Sequence, residues 1–144
     1  MQYKDTLAVE EVKYPESPVV IYVDGVEVNY SVKPIMKSNK TFVPIRETFE
    51  AMGATVKWDI RDRAVYATKD DIKIKLVINY YEALINEKRV PVSTPFVYKN
   101  KTMIPLRFVG EAFGGEVKYV KDDQSIYISI SEKYDDIESS LSFN

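Results

Sequence analysis

The chain has 144 residues, of which 45% are hydrophobic and 29% charged, as expected for one globular domain. Its 20 basic and 22 acidic side chains give a formal net charge of −2 with no basic run, which argues against nucleic acid as a partner. No apolar stretch approaches the ~18 residues needed to cross a membrane, and the lack of cysteine and histidine excludes disulfides, thiolate or imidazole metal sites and a Ser-His-Asp triad.

The first predicted element is a β-hairpin that follows a lead-in. Residues 1–17 combine charges with prolines and show no clear period, so we interpret them as a lead-in or linker. The β-branched run 19–23 predicts a strand, and Asp24-Gly25 is a strong signal for a hairpin turn. Residues 26–30 form the predicted return strand.

A short strand is then predicted to lead into a short helix. Proline suits the first helical position, so Pro44 marks the predicted start. Ile45, Phe49 and Met52 recur at i, i+4 and i+7 and form one apolar face. Gly53 follows where a left-handed C-terminal cap belongs. A helix of roughly two to three turns needs a sheet to pack on.

A strand pair and a bridging strand are predicted after the helix. Residues 55–58 and 63–68 are joined by a turn at 59–62 that is rich in aspartate. In 72–78, apolar residues alternate with lysines, which is typical of a half-buried strand. We predict that this strand bridges the two halves of the chain and that its lysines oppose edge-to-edge pairing.

The pattern recurs 61 residues later. Segments 41–67 and 102–128 are identical at 10 of 27 positions, and the second helix again has an apolar face and a following glycine, Gly114. A period of this size indicates one supersecondary unit used twice. A residue that both copies need serves the fold rather than one active site, so the repeat is also an internal control.

The predicted fold class is therefore α+β, with two β-hairpin/short helix/β-hairpin repeats whose antiparallel curved sheets pack on two short helices. We predict a single domain over 18–131, in which repeats at 18–80 and 81–131 share one core. A polar acidic tail occupies 132–144.

Both copies carry the pattern Thr-x-[Val/Ile]-Pro-[Leu/Ile]-Arg-x-x-x-Glu-x-x-Gly-[Ala/Gly]-x-Val-x-[Trp/Tyr], preceded by Asn-Lys at positions 39–40 and 100–101. This doubled motif resembles the copper amine oxidase N-terminal-like domain, also called the stalk domain, over about 19–130. The resemblance implies a non-catalytic module of secreted or surface-attached bacterial proteins, usually appended to other domains.

The second copy departs from the family pattern in two places. Asn86-Glu87 replaces an Asn-Gly turn, and Tyr119-Val120 replaces Trp-Asp. Both departures affect the shapes of the turns in the second half of the chain rather than the fold.

The enzyme in the family's name needs groups that this chain lacks. An amine oxidase builds its copper site from histidines and converts a tyrosine to a quinone. The string 79–82, Asn-Tyr-Tyr-Glu, is loosely similar to the setting of that tyrosine, and we interpret it as a turn after the strand at 72–78. Because no activated nucleophile or metal site can be assembled, we predict no catalytic residue, no cofactor, no metal and no enzyme activity.

Two Arg/Glu pairs stand at i, i+4 on the predicted helices, Arg46 with Glu50 and Arg107 with Glu111. Exposed pairs of this kind contribute ~0.3–0.5 kcal/mol. Their occurrence in both copies favours a structural role, in which each arginine ties the helix start to backbone carbonyls, over a catalytic carboxylate beside an arginine.

Paired aspartates mark the predicted turns at 59/62, 70/71 and 122/123. Calcium needs six to eight oxygens and usually a sharply turning glycine, and no such loop is present. Hydrogen bonds that form the turns explain the aspartates better than weak surface calcium.

Tyr66 and Tyr127 are the candidate binding residues among 11 tyrosines, since strand alternation directs both away from the apolar rows. The alternative is that tyrosine is simply favoured in strands. The predicted function is a structural or docking module at the cell surface or outside the cell, with other domains of the same polypeptide or cell-surface proteins as partners. The second hypothesis is binding of carbohydrate or cell-wall polysaccharide through exposed tyrosines.

Overall fold

The computed structural model describes residues 12–130. In this range the protein is mostly β, with 13 strands and two short helices, which confirms the coarse prediction of antiparallel sheets combined with two short helices. No helix among these residues is long and apolar enough to cross a membrane. The predictions for residues 1–11 and for the tail at 132–144 lie outside the described residues.

The elements follow one another with short connections. Up to residue 69 they are β1 (Val20–Val23), β2 (Val26–Glu27), β3 (Ile35–Lys37), β4 (Lys40–Pro44), α1 (Ile45–Ala51), β5 (Thr55–Asp59) and β6 (Ala64–Lys69). From residue 72 they are β7 (Ile72–Val77), β8 (Glu82–Ile85), β9 (Lys88–Pro91), β10 (Phe96–Tyr98), β11 (Lys101–Pro105), α2 (Leu106–Ala112), β12 (Glu116–Val120) and β13 (Ser125–Ser129).

The strands form three sheets, in the orders β12-β13-β1-β2, β10-β11-β4-β3 and β5-β6-β7-β8-β9. β7 pairs with both β6 and β8 and so bridges the two halves of the chain, as predicted. The prediction of purely antiparallel sheets is wrong at one place, because β1 and β13 pair in parallel. These strands come from distant parts of the chain, so no tight hairpin forces them to be antiparallel.

β4 and β11 pair in the middle of their sheet about a local two-fold relation. The opposed residues are Phe42 with Pro105, Val43 with Ile104 and Pro44 with Met103. Residues 42, 43 and 44 are equivalent to residues 103, 104 and 105 in the second half of the chain. The pair of Phe42 with Pro105 is therefore equivalent to the pair of Met103 with Pro44, on the other side of the central pair. An isologous contact has this pattern, in which the same positions meet from both sides.

The helices begin one residue later than the prolines predicted. Pro44 is the last residue of β4 and has an extended backbone, φ −61° and ψ 130°, so it precedes α1 instead of starting it. Pro105 has the same role before α2. The cause is the β4–β11 ladder, which keeps both prolines in the strand conformation.

The glycines after both helices adopt the predicted left-handed conformation. Gly53 has φ 91° and Gly114 has φ 74°. After α1 the cap is complete, because the Gly53 N–H donates to the Glu50 carbonyl at 2.9 Å and the Ala54 N–H donates to the Phe49 carbonyl at 3.0 Å. After α2 the Gly114 N–H donates to the carbonyl three residues earlier at 3.4 Å.

Several predicted turns also share one geometry. Asp24 and Gly25 both have positive φ, as do Asn86 and Glu87, so the missing glycine does not change the turn shape. The return strand predicted at 26–30 is shorter, since β2 ends at Glu27 and the following residues turn toward α1.

Two hydrophobic clusters lie on opposite faces of the β10-β11-β4-β3 sheet. Strand alternation sends Val43 and Ile104 to the main cluster, and their neighbours Phe42 and Met103 to a smaller one. The main cluster combines buried side chains from both halves of the chain, including Ile21, Phe49, Leu76, Val109 and Ile128.

Part of the segment predicted as a lead-in contacts the same sheet. Tyr14 packs against the smaller cluster, and the Ser17 N–H donates to the Pro34 carbonyl at 2.8 Å. The Met36 N–H donates to the Pro15 carbonyl, also at 2.8 Å. Residues 14–17 therefore cover the edge of β3.

Candidate functional site

Tyr127 lies on the outer face of the β12-β13-β1-β2 sheet. Its neighbours in β13, Ile126 and Ile128, are buried, whereas Tyr127 is 38% exposed, as the alternation predicts. The parallel register places it beside Tyr22, and the two rings stack with centroids 4.9 Å apart and planes within 10°. Lys118 of β12 flanks the pair on the other side. The result is a small flat aromatic surface.

Tyr66 has a different environment on the five-stranded sheet. Its hydroxyl donates a hydrogen bond to the Asp62 carboxylate, and this bond raises the pKa of the phenol. The Lys75 amine lies 5.5 Å from the ring centroid, a cation–π arrangement. Because one side chain takes up the hydroxyl and another covers the ring, Tyr66 is less available to a ligand than Tyr127.

The two tyrosines do not form one surface, since β6 and β13 belong to different sheets. Another exposed pair lies at the turn after β7, where Tyr80 and Tyr81 have ring centroids 4.7 Å apart. The sequence indicates a turn at 79–82, and Asn79, with φ 64°, forms part of one. Within residues 12–130, no group of three or more histidine, cysteine or carboxylate side chains is placed to hold a metal ion.

Two grooves flank the β4–β11 pair, and sequence reasoning missed both. Groove A is lined by residues that include Pro44 to Arg46, Val56 and Asn100 to Thr102, and its volume is about 300 Å³. Groove B is lined at the positions 61 residues away, 105–107, 117 and 39–41, and has a volume of about 810 Å³. Each groove thus lies between the helix start of one half and the Asn-Lys-Thr turn of the other half. Because the lining segments are far apart in sequence, no local pattern indicates the grooves.

The Arg46 side chain in groove A is held by two hydrogen bonds. The Arg46 Nη1 donates to the Glu50 carboxylate at 3.2 Å and to the Val56 carbonyl at 3.0 Å. This confirms for the first helix the predicted pair and the predicted link to a backbone carbonyl. The guanidinium therefore connects α1 to β5 and forms part of the wall of groove A.

The matching prediction for the second helix is wrong. Among the described residues Arg107 makes no salt bridge and no hydrogen bond, so it does not pair with Glu111. An exposed i, i+4 pair contributes only ~0.3–0.5 kcal/mol, which does not outweigh the entropy of ordering two long side chains unless a further contact helps. The Val56 carbonyl supplies that contact to Arg46.

Polar side chains tie the chain after β2 to α1. The Tyr30 hydroxyl lies 2.7 Å from Thr48 Oγ1, and burial raises the pKa of this phenol well above its usual value. The Ser31 N–H and hydroxyl both donate to the Glu47 carboxylate at 2.8 Å.

The positions 61 residues later are apolar. Glu47 and Thr48 correspond to Phe108 and Val109, and the segment of Tyr30 and Ser31 corresponds to the segment of Pro91 and Val92. Three of these four apolar residues line groove B: Pro91, Val92 and Phe108. Groove B therefore has lining residues without a counterpart in groove A, because Tyr30, Ser31 and Glu47 do not line groove A, and its volume is about 810 Å³ against about 300 Å³.

A family model described as the copper amine oxidase N-terminal domain matches residues 22–128. The match begins in β1 and ends in β13, and it includes both helices and both grooves. A comparison with curated proteins gives no match.

Proposed function

The chain belongs to the copper amine oxidase N-terminal domain family, and from this premise we propose that it is a non-catalytic docking or stalk module of a secreted or cell-surface bacterial protein. The observation that carries the proposal is the family match across almost the whole described fold. The proposed partners are other domains of the same polypeptide or cell-surface proteins.

The surface chemistry supports binding of a protein. Trp58, Tyr81 and Tyr119 are all exposed, and large aromatic side chains are enriched where proteins meet. Groove B adds an apolar concavity bounded by a few polar groups, as is typical of binding sites.

We further propose that the halves 18–80 and 81–131 are copies of one unit that share a core. In each half four strands come first, a helix follows, and a hairpin comes after the helix. The two-fold register of β4 and β11 and the matched lining of the grooves also support this proposal.

The second candidate function is binding of cell-wall polysaccharide through tyrosines. The stacked rings of Tyr22 and Tyr127 favour it, because a flat aromatic surface on a sheet face can stack on a sugar ring. The engaged ring and hydroxyl of Tyr66 argue against a surface that includes both predicted tyrosines.

One experiment separates the two functions. The immobilised full chain is incubated with isolated wall polysaccharide and, separately, with an extract of cell-surface proteins, at low and moderate salt. A docking module retains protein and not polysaccharide, and the double substitution Tyr66→Ala and Tyr127→Ala leaves this retention unchanged. Retention of polysaccharide that the double substitution removes, without a fall in melting temperature, would establish the alternative instead.

A further inference from the structure

The wall of groove B includes an arginine side chain that makes no polar contact with the described residues. Arg107 lies in the groove and has no hydrogen-bonding or ionic partner among the described residues, unlike Arg46 at the matching position. Lys40 reaches across from the other half of the chain, where its amine donates to Ser93 Oγ at 2.7 Å. Glu111 is the single acidic residue that lines this groove, so the charge of the lining is net positive. The groove therefore complements a carboxylate.

The free edge of β12 borders the same groove. β12 pairs with β13 on one side, and none of the described strands pairs with it on the other. Val117, which lines the groove, is 43% exposed, whereas Val56 at the matching position is 6% exposed. Tyr119, two residues further along the same face, is 54% exposed. An open edge offers unpaired N–H and C=O groups to another extended chain.

We propose that groove B and the free edge of β12 form a binding site for an extended peptide segment that carries a carboxylate among alternating apolar side chains. The peptide backbone pairs with β12, apolar side chains contact the exposed lining residues Val117, Tyr81 and Pro91, and the carboxylate binds Arg107. Backbone pairing favours a polypeptide over a sugar, since a sugar cannot continue the ladder. This inference rests on the proposed docking function and specifies its partner.

Groove A does not offer the same site. Its arginine is held by Glu50 and the Val56 carbonyl, and its volume is about 300 Å³ against about 810 Å³ for groove B. If the two halves were interchangeable, both grooves would bind. The differences between them predict that only groove B does.

The test is an NMR titration of the full ¹⁵N-labelled chain with a synthetic peptide. The probe is a capped nine-residue peptide of alternating threonine and valine with one central glutamate. We expect amide shifts in β12 and around Arg107, with groove A unaffected. Two ligand controls are matched to it: a peptide with lysine in place of the glutamate, and one with alternate N-methyl groups that block strand pairing. Both should bind at least about tenfold more weakly.

Two variants of equal charge change complete the test. Arg107→Glu should weaken binding of the glutamate peptide at least about tenfold and restore binding of the lysine peptide. Arg61→Glu, at an exposed arginine in the turn after β5 that lines neither groove, should leave binding within about twofold. Thermal unfolding of both variants checks that they remain folded.

Certain outcomes would overturn the inference. These are no amide shifts at all, shifts at groove A equal to those at groove B, equal effects of the two variants, or normal binding of the N-methylated peptide. The inference would also be wrong if sedimentation showed a dimer in which a second copy fills groove B, or if residues 131–144 of the same chain filled it. If the peptide fails while the chain still retains surface proteins, the docking function stands and only this site is lost.

Discussion

At the scale of single residues, comparing equivalent positions of the two halves, 61 residues apart, shows which side chains serve the fold and which do not. Gly53 and Gly114 are equivalent and both adopt positive φ, so this requirement belongs to the unit. Arg46 and Arg107 are equally well matched in sequence, yet only the first is held by partners among the described residues. The same residue at equivalent positions of the two halves therefore does not always make the same contacts.

Gly53→Val should destabilise the protein by at least ~1 kcal/mol, because valine resists a φ of 91° and the cap after α1 depends on it. A side chain would also meet Lys69, whose Cε lies 3.3 Å from the added Cβ. Urea unfolding measures the loss. Gly114→Val is the matched control: its Cβ meets nothing within 4 Å, so conformational strain acts alone there and the loss is smaller. Equal stability of the Gly53 variant and the parent would show that the cap contributes nothing.

Tyr30 should make the protein less stable at alkaline pH. Burial raises the pKa of its phenol in the folded state above the value near 10 of the unfolded chain. Above pH ~10 the unfolded chain loses this proton first, so the free energy of unfolding falls by up to about 1.4 kcal/mol per pH unit until the folded state also ionises. Below pH 10 this contribution is constant.

Tyr30→Phe removes the titrating group and should flatten the fall above pH 10, measured by urea unfolding between pH 8 and 11. Thr48→Val is the control, because it removes the hydroxyl partner and keeps the phenol. The control should retain the steep alkaline loss. A Tyr30→Phe profile parallel to that of the parent would contradict the assignment.

At the scale of elements, the two helices have the same length and each is followed by a glycine with positive φ, but they differ in how they contact the strand that follows. Arg46 connects α1 to the Val56 carbonyl of β5. In α2 the corresponding close contact is made at Gly110, where an added Cβ would lie 1.8 Å from Val117 Cγ2. The second helix therefore approaches β12 at a residue without a side chain, and its arginine has no polar partner within residues 12–130.

Arg46→Ala should cost roughly 0.5–1.5 kcal/mol, since it removes a charged hydrogen bond to a backbone carbonyl along with a partly exposed ion pair. Arg107→Ala should stay within about 0.5 kcal/mol of the parent, as is usual for surface substitutions. Denaturant unfolding of the two variants side by side gives the comparison. An equal loss for both would show that Arg107 has a structural contact after all.

At the scale of the whole molecule, the sheets are completed across the two halves of the chain. β1 and β2 from the start of the fold join the β12–β13 hairpin, and β8 and β9 join β5 and β6 through β7. The main hydrophobic cluster likewise combines side chains from both halves. Neither half therefore contains all the strands of these sheets or the whole hydrophobic core.

The segments 18–80 and 81–131 should not fold when expressed separately, because each would expose apolar faces that the other covers. Circular dichroism and thermal unfolding of each segment are the measurements. Mixing the two should restore a cooperative transition, since the β4–β11 and β1–β13 pairings can form between chains. Two independently cooperative halves would refute the shared core.

The sequence by itself determined the features that depend on neighbours along the chain. The hairpin at Asp24-Gly25, the glycine caps and the outward direction of Tyr127 all follow from local backbone geometry and strand alternation. The candidate site could be predicted only to this extent, as single outward tyrosines.

Tertiary structure alone decided the parallel pairing of β1 with β13, the engagement of Tyr66 by Asp62 and Lys75, and the two grooves. It also decided that Arg46 is held by Glu50 and the Val56 carbonyl, whereas Arg107 has no such partner in the part of the chain that the structure describes. The physical reason is that each of these depends on segments brought together from distant positions. Small differences in packing, such as Gly110 in place of Phe49, then give two similar sequences different surfaces.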